Sequence, residues 1–458
     1  MRGAKSPLYK RGARGVWGAE TFEFMAVSTH VRQLPRFREL DPVSRGTLEA
    51  ARRAAAPSSI YAVGGYVRDL LLGQRNVDID LVVEGDAIVV ARRLAHFLKA
   101  VVTPHPRFGT AHLRLPGYRT LDFATARSER YPHSAALPEV QPAPLLADLL
   151  RRDFSINAMA ARIDRHRFGP LIDPLGGLRD LERGRIRALH ERSFIDDPTR
   201  LFRTARFEGR YRFAIARSTL RLMKAAVKGG VIRNLAGSRI FRELYLVAKE
   251  PSAPSIIRRL RDLDVLTAIH PKLALPAAAF GLLERVRRVL SQAPSMPLLE
   301  GAAEGEALLL GMLYLVHPKT VVAILTRLTP PQRIVEKLAA DHKACRHAVQ
   351  KLTCAIDLRQ SRIARLLDPL SPEARIVLLA GLVKGSAWEA VSEYLATSWS
   401  IVPLLKGGDL HRLGLKPGPI YRRIFAALRS AKLDGRLRTK EDETSFVLQR
   451  FARGSLRD

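Results

Sequence analysis

The stretch from 60 to 85, IYAVGGYVRDLLLGQRNVDIDLVVEG, constrains this chain more than any other. It predicts a short strand, a glycine turn, a short amphipathic helix and a second strand. Asp78 and Asp80 lie two apart on that second strand, so their side chains share one face. Two carboxylates side by side on an apolar strand repel each other unless a cation lies between them. The pattern therefore favours a divalent metal such as Mg²⁺, which binds carboxylates, water and substrate phosphates.

The glycine turn predicts a phosphate-binding element. Gly64 and Gly65 follow an apolar strand and precede a helix, where backbone N–H groups can approach an anion and the helix dipole favours negative charge. Arg68 can pair with a phosphate or with its neighbour Asp69. The alternatives are an ordinary tight turn and a solvated Asp-x-Asp. The combination of Gly-Gly, Arg-Asp, Leu-Leu-Gly and Asp-x-Asp within residues 64–80 favours a site instead.

The charge of the chain predicts a polyanionic partner. The sequence carries 76 basic and 44 acidic residues, a net charge of +32 over 458 residues. Such an excess is typical of proteins that bind nucleic acid through phosphates. A genome that favours Arg codons is the alternative, but it would not deplete the acidic residues. The length predicts about two to four domains.

Other features of the sequence concern compartment and termini. No run of 18 apolar residues occurs, so we expect no membrane partner and a cytoplasmic location. Cys345 and Cys354 lack the spacing of a zinc site and are expected to be structural thiols. Residues 1–24 are basic, Gly-rich and aperiodic, which predicts partial disorder. Our hypothesis is that Met25, rather than Met1, is the biological start.

Two further motifs make the resemblance to a known family specific. The stretch 148–159, DLLRRDFSINAM, and the stretch 193–208, SFIDDPTRLFRTARFE, follow GGYVRDLLLG and DID in the chain. Together they resemble the class II tRNA nucleotidyltransferase and bacterial poly(A) polymerase family, part of the polymerase-beta-like nucleotidyltransferases. Ser155 replaces the usual Thr, and Asp196 replaces the usual Glu of the family's Glu-Asp-x-x-Arg element. The resemblance is strong over 57–250 and weak beyond.

The resemblance implies a catalytic centre of three carboxylates. Asp122, on the strand TLDFATAR, would join Asp78 and Asp80 as catalytic and metal-binding residues for two Mg²⁺ ions, since two-metal nucleotidyl transfer needs a third carboxylate. An edge-strand Asp in solvent is the alternative for Asp122. The residues that the resemblance implies for nucleotide binding are Gly64, Gly65, Arg68, Arg127, Arg152, Asp153, Asn157, Asp197, Arg200, Arg203 and Arg206.

Individual roles follow from the same resemblance. Arg152, Asp153 and Asn157 would hold ribose and triphosphate, with Asn157 on a strand; a structural role for Asp153, bracing Arg152, is the alternative. Asp197 and Arg200 would read the Watson–Crick edge of the incoming base. The alternative is that Asp196 and Asp197, four and three residues before Arg200, form ordinary ion pairs with it on a surface helix.

Two more segments carry weaker expectations. Residues 128–143 are Pro-rich, polar and predicted to be irregular, at the position of the family's flexible loop that helps to switch nucleotide choice. An Asp-x-x-Arg-x-Pro pattern that would match that loop is absent. GSRIFREL at 237–244 resembles the neck motif, in which Arg239 and Glu243 are spaced as a helical ion pair.

The expected fold is an α+β head of the polymerase-beta-like nucleotidyltransferase type, a mixed sheet with helices, followed by an all-α neck, body and tail. The expected domains are an N-terminal extension (1–40), the catalytic head (41–190), a helical neck with the nucleotide-reading motif (191–250), a helical body (251–340) and an RNA-binding helical tail (341–458).

The predicted activity is template-independent addition of A to the 3′ end of tRNA or another RNA, with ATP as substrate and release of pyrophosphate. CTP as a second substrate stays open, so A-adding and CCA-adding enzymes are not separated. A poly(A) polymerase is the first alternative, although Gln74-Arg75-Asn76-Val77 is less basic than those enzymes tend to be after Leu-Leu-Gly. A non-catalytic RNA-binding protein is the second, and intact Asp78, Asp80 and Asp122 argue against it. The oligomeric state stays open.

Overall fold

A computed structural model describes residues 34–35, 37–74, 78–115 and 120–452. The predictions for residues 1–33, including the choice between Met1 and Met25, lie outside the described residues. In the described part, no helix is long and apolar enough to cross a membrane.

The strands of the described residues lie before residue 216, and all except the last, a two-residue strand in the expected helical neck, fall within the expected head (41–190). They are β1 (Ile60–Val63), β2 (Asp78–Val83), β3 (Val101–His105), β4 (Thr110–Arg114), β5 (Thr120–Thr125), β6 (Arg127–Arg130), β7 (Glu139–Pro142), β8 (Ala160–Asp164), β9 (Arg167–Ile172), β10 (Arg185–Ile186) and β11 (Ala214–Ile215). Seven of them form one sheet in the order β3-β4-β5-β2-β1-β8-β9. Only β2 and β5 are parallel neighbours in that sheet, so the predicted mixed sheet is confirmed.

Helices flank the sheet and make up the chain after β11. They are α1 (Pro42–Ala55), α2 (Gly64–Leu71), α3 (Ala87–Leu98), α4 (Leu145–Leu150), α5 (Gly177–Glu182), α6 (Ser193–Asp196), α7 (Thr199–Tyr211), α8 (Arg217–Lys228), α9 (Gly237–Ala248), α10 (Ala253–Asp262), α11 (Val265–Ile269), α12 (Ala277–Gln292), α13 (Glu304–Leu313), α14 (Pro318–Leu328), α15 (Gln332–Thr353), α16 (Gln360–Leu367), α17 (Pro372–Gly381), α18 (Ser386–Ala396), α19 (Gly407–Arg412), α20 (Pro419–Leu433) and α21 (Lys440–Val447).

Local sequence explains where these helices begin. The Asp86 carboxylate accepts hydrogen bonds from the backbone N–H groups of Ile88 and Val89, which caps α3. Asp41 does the same for α1 by accepting from the N–H of Ser44 at 3.1 Å. Apolar residues at helical spacing then bury one face of each helix against the sheet.

Separate apolar cores support the two parts of the chain. One core, between 48 and 213, lies under the sheet and its helices. A larger one, between 194 and 433, is built mainly from helices, and a third, between 405 and 447, joins α19, α20 and α21. Residues on both sides of 340, the expected boundary between body and tail, belong to the same large core, among them Leu338 and Cys345.

The segment 128–143, predicted to be irregular, instead contains β6 and β7, which form an antiparallel two-stranded ribbon with Arg127 opposite Pro142. Side-chain contacts hold the ribbon against the helices: Ser134 Oγ donates to the Ile195 carbonyl at 2.9 Å, and Arg239 Nη1 donates to the Ala135 carbonyl at 3.0 Å. These tertiary contacts, invisible in a Pro-rich sequence, account for the order of the segment.

Candidate active site

A cleft of about 1000 Å³ lies between the sheet and helices α7 and α9. Of the residues that the sequence singled out for catalysis or nucleotide binding, the cleft is lined by Gly64, Gly65, Arg68, Asp78, Asp80, Asp122, Arg152, Asp153, Asn157, Asp197, Arg200, Arg203 and Arg206. These residues are up to 142 positions apart in the chain, and the fold brings them to one concave surface. Arg127 is the exception.

The three predicted carboxylates meet because β2 and β5 are parallel neighbours. Their register places Asp80 directly opposite Asp122. Thr120 Oγ1 donates a hydrogen bond to Asp78 Oδ1 at 2.5 Å, and His112 Nδ1 lies 2.7 Å from Asp122 Oδ1. Each outer carboxylate is therefore oriented by a neighbouring strand, whereas Asp80 lies between them.

The electrostatics of Asp80 are those of a crowded acidic site. Burial, with the nearby charges of Asp122 and Asp78, raises the pKa of Asp80 to about 6, although Arg152 and Arg68 act in the opposite direction. A divalent cation between the carboxylates would remove this repulsion, and carboxylate oxygens are the donors that Mg²⁺ prefers. Within the described residues, no group of three or more acidic, His or Cys side chains is already arranged as a metal cluster. The donor chemistry thus fits Mg²⁺, without a preformed cage.

The glycine turn brings the start of α2 beside these carboxylates. Gly64 has a φ of +64°, which favours glycine, and its N–H donates to the Met159 carbonyl at 3.1 Å. A Cβ atom at Gly64 would lie only 2.6 Å from Arg152 Nη1, and one at Gly65 would lie 3.6 Å from Asp80 Oδ2. The turn therefore allows a guanidinium and a carboxylate to approach the backbone closely.

Arg152 is held by Asp148, and not by Asp153 as the alternative in the sequence analysis had it. Asp148, fully buried, accepts from Arg152 Nη2 at 2.8 Å and from Arg151 Nη2 at 2.6 Å. Its two arginine partners outweigh its burial, so the pKa of Asp148 is lowered. The idea that Asp153 braces Arg152 is wrong, because the turn of helix α4 places Asp148 four residues before Arg152, within reach of it.

Asp153 instead binds Arg203 of α7. Its Oδ2 accepts from Arg203 Nε at 2.8 Å and Nη2 at 2.5 Å, and its Oδ1 accepts from Asn157 Nδ2 at 2.9 Å. Burial alone would raise the pKa of Asp153, but these partners lower it to about 2. Asn157 lies in a 3-10 turn, Ser155–Asn157, and not on a strand as predicted, since the Asp153 hydrogen bond closes this turn.

The stretch 193–208, which the resemblance implies for reading the nucleotide, is a broken helix and not the single surface helix of the alternative. Helix α6 ends at Asp196 and α7 begins at Thr199, with Pro198 between them. Asp197, at the break, accepts from Thr199 Oγ1 at 2.6 Å and from Arg239 Nη2 at 2.8 Å. The break turns Asp197 into the cleft, while Asp196 does not line it.

Arg200 is rigidly fixed beside Asp197. It is buried, donates through Nη1 to Ser193 Oγ at 2.7 Å and through Nη2 to the Arg151 carbonyl at 2.9 Å. Arg206 contacts Glu243 at 3.4 Å. The spacing of Arg239 and Glu243 suggested a pair, but Arg239 bonds Asp197 and Glu243 bonds Arg206, because α7 packs against α9 and offers closer partners.

Arg127 lies outside the cleft. It opens β6 rather than ending the preceding strand, and it donates to the Phe108 carbonyl and to Glu129 Oε1 at 3.0 Å. The same Glu129 oxygen accepts from Arg151 Nη1 at 2.7 Å, so Arg127 reaches the cleft only through this shared carboxylate.

The cleft has further lining residues that the sequence reasoning missed. They are Asp69, Gln74, Glu129, Tyr131, Pro138, Arg151, Thr199, Phe207, Arg210, Tyr211, Arg239, Arg242 and Glu243, of which Arg239 and Glu243 were noted only as a neck pair. Arg151 is the other arginine of the Arg-Arg-Asp motif, and Phe207 and Tyr211 recur on the Arg200 side of α7 at helical spacing. Tyr131 gives no local signal, because its position depends on the β6–β7 ribbon.

Comparison with known proteins agrees with this architecture. Residues 60–187 match the family described as "Poly A polymerase head domain". The A-adding tRNA nucleotidyltransferase of Geobacter sulfurreducens is 37% identical over 394 residues, 85% of this chain, but the chain spans only 45% of that protein's length. The A-adding tRNA nucleotidyltransferase of Halalkalibacterium halodurans is 32% identical over 86% of this chain and 89% of its own length.

Relatives with other printed activities match over similar lengths. The CC-adding tRNA nucleotidyltransferase of Deinococcus radiodurans is 31% identical over 89% of this chain and 94% of its own length. Among solved structures, the Thermotoga maritima CCA-adding enzyme complexed with tRNA superposes with a TM-score of 0.72 at 31% identity, over 90% of this chain and 97% of that one. Since the similarity extends over nearly the whole length of several of these proteins, the chain belongs to the tRNA nucleotidyltransferase family.

Proposed function

We propose that this chain adds nucleotides, A at least, to the 3′ end of tRNA without a nucleic-acid template and releases pyrophosphate. The observation that carries the proposal is the convergence, in one cleft, of Asp78, Asp80 and Asp122 with a fixed set of arginines. Carboxylates that attract metal ions and guanidinium groups that bind phosphate are the two components that nucleotidyl transfer needs.

The metal-binding role falls to the three carboxylates of β2 and β5. Asp78, Asp80 and Asp122 would hold two Mg²⁺ ions. When bound, such ions neutralise charge on the triphosphate and lower the pKa of the attacking 3′-hydroxyl. Thr120 and His112 orient the outer two carboxylates before any ligand arrives, which lowers the cost of organising the site.

The substrate-binding role falls to the turn and the arginines. Gly64 lets the Arg152 guanidinium lie against the start of α2, where a phosphate would meet both the guanidinium and the helix N-terminus. Asn157 would contact the ribose. Arg203 and Arg206 face the same cleft and add positive charge where the triphosphate carries its negative charge.

The base-reading role falls to Asp197 and Arg200. Arg200 is held by Ser193 and a backbone carbonyl, so its guanidinium keeps one orientation. A fixed donor and a fixed acceptor reject a base that leaves either one unpaired. ATP is the proposed substrate because the A-adding relatives share the higher identities; CTP remains the second candidate on the strength of the CC-adding relative.

A poly(A) polymerase is the alternative that a specific observation favours, since residues 60–187 match the head domain of that description. The RNA partner separates the two activities. The net charge of +32 suits either a folded tRNA or a single strand, because both present phosphates.

The test is single-nucleotide extension of three tRNA transcripts that end at the discriminator base, at C and at CC. Each is incubated with Mg²⁺ and ATP, CTP or both. We expect A to be added to the CC-ended transcript. Completion of CCA on all three would make this a full CCA-adding enzyme, C-only addition would make it a CC-adding one, and long A tails on unrelated RNA would favour the poly(A) polymerase.

The control variant is Asp78→Ala. We expect it to lose incorporation while it keeps affinity for tRNA, because Asp78 lies at the cleft and its partner is Thr120. Incorporation by Asp78→Ala at the wild-type rate would contradict the metal assignment, and a wild-type protein that binds tRNA but adds nothing would support an RNA-binding protein instead.

A further inference from the structure

Arg68 is engaged inside the protein in a way that does not suit a phosphate ligand. It is only 4% exposed. Its Nε and Nη2 contact Asp69 Oδ1 at 2.9 and 2.8 Å, and its Nη1 donates to Asn157 Oδ1 at 2.6 Å. All three nitrogens of the guanidinium therefore have a protein partner.

Two aromatic rings of the neck helix α7 hold the same guanidinium. The Arg68 Cζ atom lies 5.3 Å from the centre of the Phe207 ring and 4.7 Å from that of Tyr211. Tyr211 also donates a hydrogen bond to Asp69 Oδ1 at 3.3 Å. The cation–π contacts with these two rings, together with the hydrogen bonds to Asp69 and Asn157, leave the Arg68 guanidinium one orientation.

The fixed guanidinium in turn fixes the amide of Asn157. Arg68 donates to Oδ1 of Asn157, while Nδ2 of Asn157 donates to Asp153. A flipped amide would turn its NH₂ group towards the guanidinium and its oxygen towards the carboxylate, so only one orientation satisfies both neighbours. Each amide atom has capacity for one more hydrogen bond, and Asn157 lines the cleft.

We infer that Arg68, Phe207 and Tyr211 are positioning residues for sugar recognition. They orient Asn157 so that the site prefers a ribonucleoside triphosphate to its 2′-deoxy counterpart, and Arg68 acts on the sugar through Asn157, not on the phosphates. This inference rests on the proposed function for the position of the nucleotide. Of the two partners that the sequence leaves open for Arg68, a phosphate and Asp69, the inference favours Asp69.

The relay makes sugar choice depend on the packing of the neck against the head. Asp153, at the far end of the Asn157 amide, is held by Arg203, whose guanidinium lies 5.5 Å from the same Phe207 ring. One aromatic side chain of α7 thus contacts the arginines at both ends of the relay. A substitution of Phe207 would disturb the amide while leaving Asn157 and both arginines in place.

The test compares the affinity for ATP and for dATP by calorimetry with Mg²⁺ and without RNA, so that no turnover occurs. The variants are Tyr211→Leu, which removes the ring, and Arg68→Lys, which keeps the charge but loses the fork. For both we expect ATP binding to weaken about 3- to 10-fold, the loss of one hydrogen bond, with dATP binding unchanged. Affinity for pyrophosphate should also be unchanged.

Tyr245→Leu is the matched control. This tyrosine of α9 forms a similar aromatic pair with Phe241, at 5.9 Å, but it does not line the cleft. We expect its ATP-to-dATP affinity ratio to equal that of the wild type. Thermal melting of each variant checks the fold; if Tyr211→Leu does not fold, Arg68→Lys decides the question.

Two results would overturn the inference: equal weakening of ATP, dATP and pyrophosphate, which would make Arg68 a phosphate ligand, or an unchanged ratio in both variants. The proposed function fails separately. If the wild type adds nothing to tRNA but the ratio shifts as expected, the relay stands and the transfer reaction does not; if the wild type extends tRNA and the ratio is constant, only the inference falls.

Discussion

The Gly64→Ala substitution tests the glycine turn at the smallest possible scale. The φ of +64° at this position costs an L-residue about 1–2 kcal/mol in backbone conformation. The new Cβ would also lie 2.6 Å from Arg152 Nη1, so the guanidinium must move, although Asp148 holds it at 2.8 Å. If that movement removes one charge-assisted hydrogen bond to the triphosphate, worth about 1.5–3 kcal/mol, incorporation should fall about 10- to 100-fold.

Two neighbouring substitutions serve as controls. At Gly65 a Cβ would meet Arg68 Nη2 at 3.5 Å, an ordinary contact, so Gly65→Ala should lose much less activity than Gly64→Ala. At Gly46, inside α1, nothing lies within 4 Å, so Gly46→Ala should be active and more stable by about 1 kcal/mol. The assay is single-turnover addition to tRNA, with urea unfolding in parallel. Wild-type activity for Gly64→Ala would refute the role of Arg152, beside the glycine turn, in binding the triphosphate.

Three further perturbations follow from charge. The pKa of Asp80 is raised to about 6, so its protonated form stabilises the fold at low pH and this contribution is lost as pH rises through 6. Asp80→Asn should therefore raise the unfolding free energy by about 1–2 kcal/mol at pH 7 in EDTA, allowing for partial exposure. The same variant should abolish incorporation. Asp153→Asn leaves the half-buried Arg203 without its carboxylate and should cost about 2–3 kcal/mol, less than for a fully buried pair. Because the wild-type pKa of Asp153 is about 2, that stability is present above the ordinary Asp value of 3.8 and lost as pH falls towards 2. Asp357→Asn, on the surface, should leave the urea midpoint nearly unchanged. Binding of tRNA should weaken steeply as salt rises, measured as the slope of log K against log salt, and a flat slope would contradict a phosphate-based interface.

The sequence predicts this site well where its signals are local. The spacing of Asp78 and Asp80 and the turn at Gly64 each depend on a few adjacent residues, and the structure confirms the geometry of both. The helical remainder follows from helical periodicity after residue 250, whereas the mixed sheet is implied by the family resemblance; β11 lies beyond the expected end of the head at 190. The catalytic and binding roles of these residues stay predictions, as do the domain boundaries.

What the sequence could not predict depends on partners that are distant in the chain. Arg152 bonds Asp148 and not its immediate neighbour Asp153, because a helical turn places Asp148 within reach of Arg152 while Arg203 of α7 bonds Asp153. Likewise, the order of β6 and β7 comes from contacts with α6 and α9. The periodicity of the sequence cannot predict such contacts, since they form only when helices α6, α7 and α9 pack against the elements that precede them in the chain.

The distribution of charge separates local recognition from long-range attraction. The cleft is lined by nine arginines and eight carboxylates, so its side chains are close to neutral in sum. The chain nevertheless carries +32, and residues 251–458 alone hold 32 basic against 19 acidic residues. The excess positive charge therefore lies mainly outside the cleft, on surfaces that can attract an extended polyanion over about a Debye length. Inside the cleft, carboxylates fix the arginines in place, so that a nucleotide meets oriented donors that need little rearrangement on binding. Substitutions in the cleft should accordingly change nucleotide selectivity more than the salt dependence of RNA binding, and substitutions of helical surface arginines should do the reverse.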